Sequence, residues 1–153
     1  MAATQVTPDD VLGVVDAVRE RHACVVDADE ASPVASVLLG AATTIVGVAG
    51  ASPVGVVRAL EWAAVVRRRV PATPIHLAVN RAPAARYRRE EIRAEIVRTL
   101  RPESITWLPT DARVEAAAWD GALVGRGPFR AAVASLAHDV TSRSTATRWG
   151  RKA

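Results

Sequence analysis

Apolar residues recur at helical spacing along the chain, and most of these stretches follow a helix start signal. Thr7 and Pro8 supply a hydroxyl cap and a proline at the first helical position, followed by two carboxylates at the positive end of the helix dipole. Serine-proline pairs at 32–33 and 52–53 repeat this signal. The spacing predicts helices over residues 8–21, 33–40, 53–69, 88–101, 112–119 and 128–138.

Short apolar runs rich in β-branched residues lie between these helices. They predict strands over residues 23–27, 43–48, 75–79 and 105–108. Alternating helices and buried strands are typical of an α/β fold with right-handed crossovers. We therefore expect a three-layer architecture, with a mainly parallel sheet of about four strands flanked by helices.

Charge is distributed unevenly along the 153 residues, of which 50% are apolar and 24% charged. All 16 acidic residues lie at or before Asp139, whereas four basic residues follow it, so the net charge of +4 belongs to the C-terminal end. Residues 140–153 are rich in Ser, Thr and Arg and nearly free of apolar side chains. We predict one α/β domain over residues 1–139 and a disordered basic tail over 140–153.

Composition excludes several kinds of chemistry. The single lysine, Lys152, is in the tail, so neither a Schiff base nor the lysine of a phosphate-binding loop is available within the fold. Cys24 is the only cysteine, which rules out an intrachain disulfide, favours a reducing cytoplasm and suggests a small buried hydrophobe. The three histidines are too far apart in sequence to suggest zinc, and no export signal or membrane span is expected.

Polar side chains follow several of the predicted strands. Asp27, Asp29 and Glu30 follow the first strand, Asn80 and Arg81 the third, and Asp111 comes shortly after the fourth. Ligands of parallel sheets bind at the carboxyl ends of the strands. The acidic residues there suit either a magnesium ion or a solvated loop, and Asn80 suits either a base edge or its own loop backbone.

Taken together, these segments resemble the C-terminal half of the MinD/ParA-like P-loop ATPases of the SIMIBI class. The resemblance covers roughly residues 20–138 and depends on the order and spacing of several short motifs. The motifs are Asp27 closing Ala23-Cys24-Val25-Val26, Thr44-Ile45-Val46-Gly47-Val48, Val79-Asn80-Arg81-Ala82-Pro83, Leu108-Pro109-Thr110-Asp111, Ala118-Trp119-Asp120-Gly121 and Gly127-Pro128-Phe129.

The resemblance implies a role for each matching residue. Asp27 takes the place of the Walker B carboxylate near magnesium, with Asp29 in the second switch loop beside it, and Trp119 is expected to pack. Adenine contacts are expected from two loops after strands, and the residues are Asn80, Arg81, Pro83, Pro109 and Asp111. The implied cofactors are ATP or ADP, bound weakly, and Mg²⁺.

The chain departs from the family in its first half. It has no glycine-rich loop with lysine and no first switch aspartate, and residues 27–33 lack the glycine expected near the γ-phosphate. The missing strand would leave a gap beside residues 23–27. Either the strand at residues 23–27 pairs directly with the strand at 43–48, or another chain supplies the missing half.

We therefore expect an ATPase-related protein that does not hydrolyse ATP alone. It would act through a protein partner or homodimer, or by residual adenine-nucleotide binding, in a partitioning, positioning or secretion-type system. Two alternatives stay open. One is a receiver-like or other small doubly wound signalling domain, and the other adds weak nucleic-acid contact through the arginines and Trp149 of the tail.

Overall fold

The computed structural model describes residues 6–29 and 32–149, with side chains described as far as residue 142. It divides into two compact units, Met1–Ala42 and Thr43–Ala153.

The first unit contains two helices, α1 (Pro8–Arg19) and α2 (Ala35–Ala41). The start of α1 is a capping box, in which the Thr7 hydroxyl accepts from the Asp10 N–H and the Asp10 carboxylate accepts from the Thr7 N–H. These two hydrogen bonds satisfy orphan N–H groups of the first turn, so the predicted start of this helix is confirmed.

The prediction of a strand over residues 23–27 is wrong. This segment has no regular secondary structure, and every residue from 21 to 29 is exposed. Val25 is 96% exposed, and Cys24, expected to be buried, is exposed as well. A β-branched run favours extended backbone but becomes a strand only where a neighbouring strand completes its hydrogen bonds.

The second unit holds a parallel sheet with strand order β1-β2-β3, flanked by helices. Residues 6–29 and 32–149 contain three strands where four were expected, which leaves β1 at one edge of the sheet and β3 at the other. The elements in chain order are β1 (Ile45–Gly50), α3 (Pro53–Arg69), β2 (Ile75–Ala82), α4 (Arg86–Thr99), β3 (Ser104–Pro109), α5 (Ala112–Trp119) and α6 (Pro128–Trp149).

The core forms where α3 and α4 pack on one face of the sheet. Leu77 and Val79 of the central strand are fully buried and share a hydrophobic cluster with Val56 of α3 and Ile96 of α4. The opposite face of β2 is buried too, and its His76 Nδ1 lies 2.8 Å from the Ser104 hydroxyl. His76 is therefore a structural residue, because its ring is buried and hydrogen-bonded to β3.

Two expectations for the C-terminal part are wrong. The last helix does not end near His138 but continues to Trp149. Within it, Thr141 Oγ1 donates to the Ala137 carbonyl oxygen at 2.8 Å, so this hydroxyl is satisfied by the helix backbone. Trp119, expected to pack, is 85% exposed at the end of α5. Residues 150–153 of the predicted tail lie outside the described residues. No helix in the described part of the chain is long and apolar enough to cross a membrane.

Candidate functional site

The carboxyl end of β2 carries a β-bulge centred on Arg81. The register with β3 shifts between Asn80 and Ala82, and Arg81 adopts a positive φ of 54°. Arginine rarely takes this left-handed conformation, which glycine occupies at little cost. The side chain of Asn80 supports the bulge, because its Oδ1 accepts from the Arg81 N–H at 2.8 Å. A bulge at a strand end redirects the side chain that it carries, and such strained positions are frequent at binding sites.

Arg81 lies on the rim of an open cavity of about 690 Å³ at the carboxyl ends of β2 and β3. This volume is within the range of small-molecule sites. The lining comes from the end of β2 and the loop after it, the N-terminal parts of α4 and α6, the end of β3 and the residue that follows β3. The lining residues are Arg81, Ala82, Pro83, Ala84, Arg89, Trp107, Pro109, Thr110, Pro128 and Ala132. Hereafter we call this cavity the strand-end pocket.

Positive charge and flat apolar surface coexist in the strand-end pocket. Its two ionisable side chains are Arg81 and Arg89, and no carboxylate lines it. A further guanidinium, that of Arg93, lies 5.8 Å from the centroid of the Trp107 ring, so the wall of the pocket carries a cation beside an aromatic surface. Three prolines and three alanines supply the rest of the wall apart from Thr110. Such a lining suits a ligand that combines a flat ring with an anionic group.

The sequence-predicted adenine residues divide into two groups. Arg81, Pro83 and Pro109 come together in the strand-end pocket. Asn80 lies just outside its lining and is half-buried, with its carboxamide oxygen used by the bulge. Thus Asn80 does support its own loop, while its amide N–H groups are left for another acceptor.

Asp111 does not line the pocket and has a local structural role. Its Oδ1 accepts from the Arg113 N–H at 3.1 Å and so caps α5, while its Oδ2 lies 2.7 Å from the Arg113 guanidinium. The hydrogen bond from the Arg113 side chain holds the pKa of the Asp111 carboxyl below its usual range and raises the pKa of Arg113. Both oxygens of this carboxylate are therefore engaged within the protein.

Asp27 and Asp29 lie in the exposed irregular segment of the first unit. A magnesium site needs several oxygen ligands held rigidly, and the strand that was to hold Asp27 is not formed. The part of the chain that the structure describes contains no group of three or more His, Cys, Asp or Glu residues that could hold a metal. Glu30, the third acidic residue of this segment, lies outside the described residues. The metal role of Asp27 and Asp29 therefore stays a prediction, and we assign no step to a metal.

Seven of the ten lining residues were not among the predicted ligand residues, and two of these seven, Arg89 and Trp107, carry a charge or an aromatic surface. Arg89 lies in an arginine-rich helical segment, and Trp107 lies in the strand predicted over residues 105–108. The signal that could have identified them is the spacing of Arg89 and Arg93, which are four apart and so share one face of α4. That face meets the side of β3 that carries Trp107.

Chemically, the strand-end pocket offers guanidinium groups and flat apolar surface to a ligand. Its lining includes no Asp, Glu, His, Cys or Lys that could act as a general acid or base, and Thr110 is its one hydroxyl. Comparison with known proteins found no matching family model, no matching curated protein and no matching solved structure.

Proposed function

We propose that this chain binds an adenine nucleotide in the strand-end pocket and does not hydrolyse it alone. The observation that carries the proposal is the convergence of Arg81 and Arg89 with the flat walls of Pro83 and Pro109 in one cavity. Guanidinium groups pair strongly with phosphate oxygens, and proline and tryptophan faces accept a planar base.

The resemblance to MinD/ParA-like ATPases supports adenine as the base. The same two loops carry the adenine contacts in that resemblance, and Asn80, next to Arg81 in β2, has amide N–H groups that could donate to a ring nitrogen of a base. In that family, a glycine-rich loop and a lysine stabilise the phosphoryl charge that develops during hydrolysis, whereas the sole lysine of this sequence is Lys152. The nucleotide is therefore a ligand rather than a substrate.

A nucleotide that is bound and not consumed fits a regulatory or scaffolding role. In this proposal, binding orders the loops after β2 and β3 and thereby adjusts contact with a protein partner. The resemblance points to partitioning, positioning or secretion-type systems as the setting for such contact.

Fluorescent ADP tests the proposal. The full chain is titrated against an N-methylanthraniloyl derivative of ADP, and unlabelled ATP, ADP, AMP, adenosine and GDP compete for the site. We expect saturable binding that ADP displaces better than adenosine or GDP. Arg81→Ala and Arg89→Ala should each weaken binding about 10- to 100-fold, the usual effect of losing a hydrogen bond to a charged group.

Arg69→Ala provides the matched control, because it removes the same charge from the end of α3 and does not touch the pocket. It should leave the affinity within about twofold, since screening limits the reach of an exposed charge. Equal weakening by all three variants would mean nonspecific attraction to a basic surface and would overturn the proposal. So would robust ATP turnover by the pure protein.

A further inference from the structure

Within the second unit, the outer edge of β1 has no neighbouring strand. Ile45 and Ala51 donate their N–H groups toward β2, to the carbonyl oxygens of Pro74 and Asn80 at 3.0 Å each. Because successive residues of a strand direct their backbone groups to opposite sides, the N–H and C=O groups of Val46, Val48 and Gly50 point away from β2. We call these three residues the outer edge.

Natural proteins usually protect such edges with charged residues, proline, a bulge or a covering element. β1 reads Ile-Val-Gly-Val-Ala-Gly, with neither a charge nor a proline, and its register with β2 is regular throughout. Val48 is 71% exposed and Val46 39%. The Gly50 carbonyl lies against Gly55 at the start of α3. Val46 and Val48 therefore present the unpaired backbone groups and the exposed apolar side chains that form a template for strand addition.

Charge determines what kind of strand fits there. Helix α3 packs on β1, so an added strand would lie beside it. This helix carries four arginines and one glutamate. Residues 43–153 as a whole have 18 basic and 9 acidic residues, a net charge of +9. An incoming strand gains from carboxylates at its ends and loses from lysine or arginine there.

The same charge argues against a second copy of β1 as the occupant. Edge-to-edge pairing of two copies would bring two basic α3 helices toward each other around one continuous sheet. Like charges across an interface oppose association. We propose that the outer edge of β1 binds a β-strand of a partner protein, one that is apolar in its centre and acidic at its ends. This inference is independent of nucleotide binding.

Three synthetic peptides test the proposal with the full chain. One has a Val-Thr-Val-Thr-Val core with two aspartates at each end, the second has the same core with lysine ends, and the third repeats the acidic peptide with alternate backbone nitrogens methylated on the pairing side. Fluorescence anisotropy should detect the acidic peptide binding at least about 10-fold more tightly than the lysine peptide at low salt. The methylated peptide should not bind, since it cannot complete the backbone hydrogen bonds.

Variants and hydrogen exchange locate the binding. The acidic peptide should slow amide exchange at Val46, Val48 and Gly50. Val48→Glu should weaken its binding at least about 10-fold by placing a carboxylate beside acidic ends. Leu123→Glu is the matched control, because Leu123 is an exposed apolar residue outside the sheet, 96% accessible, and its substitution should change nothing.

Several results would overturn the inference. These are failure of the acidic peptide to bind at millimolar concentration, protection confined to other segments, and equal binding of the methylated peptide. Self-association of the chain through β1, measured by light scattering and abolished by Val48→Glu, would identify a second copy as the occupant and would equally contradict it.

Discussion

Replacing Arg81 by glycine should stabilise the protein and at the same time weaken its nucleotide binding. The φ of 54° at Arg81 puts an L-residue in the left-handed region, which costs about 1–2 kcal/mol per residue. Glycine removes this cost but has more backbone freedom in the unfolded chain, a penalty of roughly 0.5–1 kcal/mol. The net effect is a stabilisation of about 0.5–1 kcal/mol, which corresponds to a rise in Tm of about 1–4 °C for a chain of this size.

Arg101 supplies the matched control for this prediction. Its φ is 48°, and it follows the C-cap residue Leu100 of α4, a position where glycine is common. Arg101→Gly should therefore give a similar stabilisation and leave nucleotide affinity unchanged, because Arg101 does not line the pocket. Arg81→Ala should lose affinity without gaining stability, since alanine keeps the backbone strain.

Urea unfolding followed by circular dichroism, together with the fluorescent ADP titration, measures both quantities. The expected pattern is a gain in stability for both glycine variants and a loss of affinity for Arg81→Gly alone. The reasoning is refuted if Arg81→Gly destabilises the protein by about 1 kcal/mol or more, or if Arg101→Gly weakens binding as much as Arg81→Gly does.

Three further outcomes test the packing and electrostatics of the second unit. In Gly47→Ala the new methyl carbon would lie 2.5 Å from Cζ3 of Trp62, so the variant should lose about 1–3 kcal/mol of stability in urea unfolding, and no loss would contradict the packing of α3 on β1. Asp111→Ala should lower Tm by removing the α5 cap while leaving ADP affinity within about twofold, and a large loss of affinity would instead make Asp111 a ligand residue. The Arg113 hydrogen bond lowers the pKa of the folded-state Asp111 carboxyl below its unfolded value near 3.8, so this bond stabilises the protein above that pH and loses its effect as pH falls through the folded pKa. The stability of the wild type should therefore fall more steeply with acid than that of Asp111→Asn. Identical acid profiles of the two proteins would refute this.

Local signals in the sequence predicted the helices and the inner strands well. The Thr7 and Ser52 caps mark the starts of α1 and α3, since the hydroxyl of each accepts an N–H of its helix's first turn. The run from Ile75 to Val79 in β2 is buried on both faces, as expected for a central parallel strand. Such features depend on residues close together in the chain and can be inferred from them.

Features that depend on distant residues could not be predicted in the same way. The segment at residues 23–27 has the composition of a strand, but composition does not supply a neighbouring strand for its hydrogen bonds. The positive φ of Arg81 arises from a register shift against β3, and nothing in the sequence around it calls for a left-handed residue. The polar composition after residue 139 predicts disorder, whereas the last helix continues to Trp149. No glycine or proline interrupts residues 129–149, so the helix backbone can continue there.

The pocket itself was partly predictable. Pro83 and Pro109 follow neighbouring parallel strands and were expected to meet at one edge of the sheet, as they do. Arg89 and Trp107 line the pocket because α4 lies against the side of β3 that carries Trp107. This arrangement can be inferred only when the strand order is known. The position of the site in the fold could therefore be predicted from the sequence, whereas the pairing of positive charge with an aromatic surface could not.

Hydrogen–deuterium exchange of the full chain with and without ADP tests the central claim most directly. The account predicts slower exchange in two segments at once, residues 81–84 and 107–110, because both line the strand-end pocket. Arg89→Ala should reduce this protection at the same ADP concentration, because its affinity is expected to be about 10- to 100-fold weaker. Protection confined to other segments, or no protection at saturating ADP, would contradict the account.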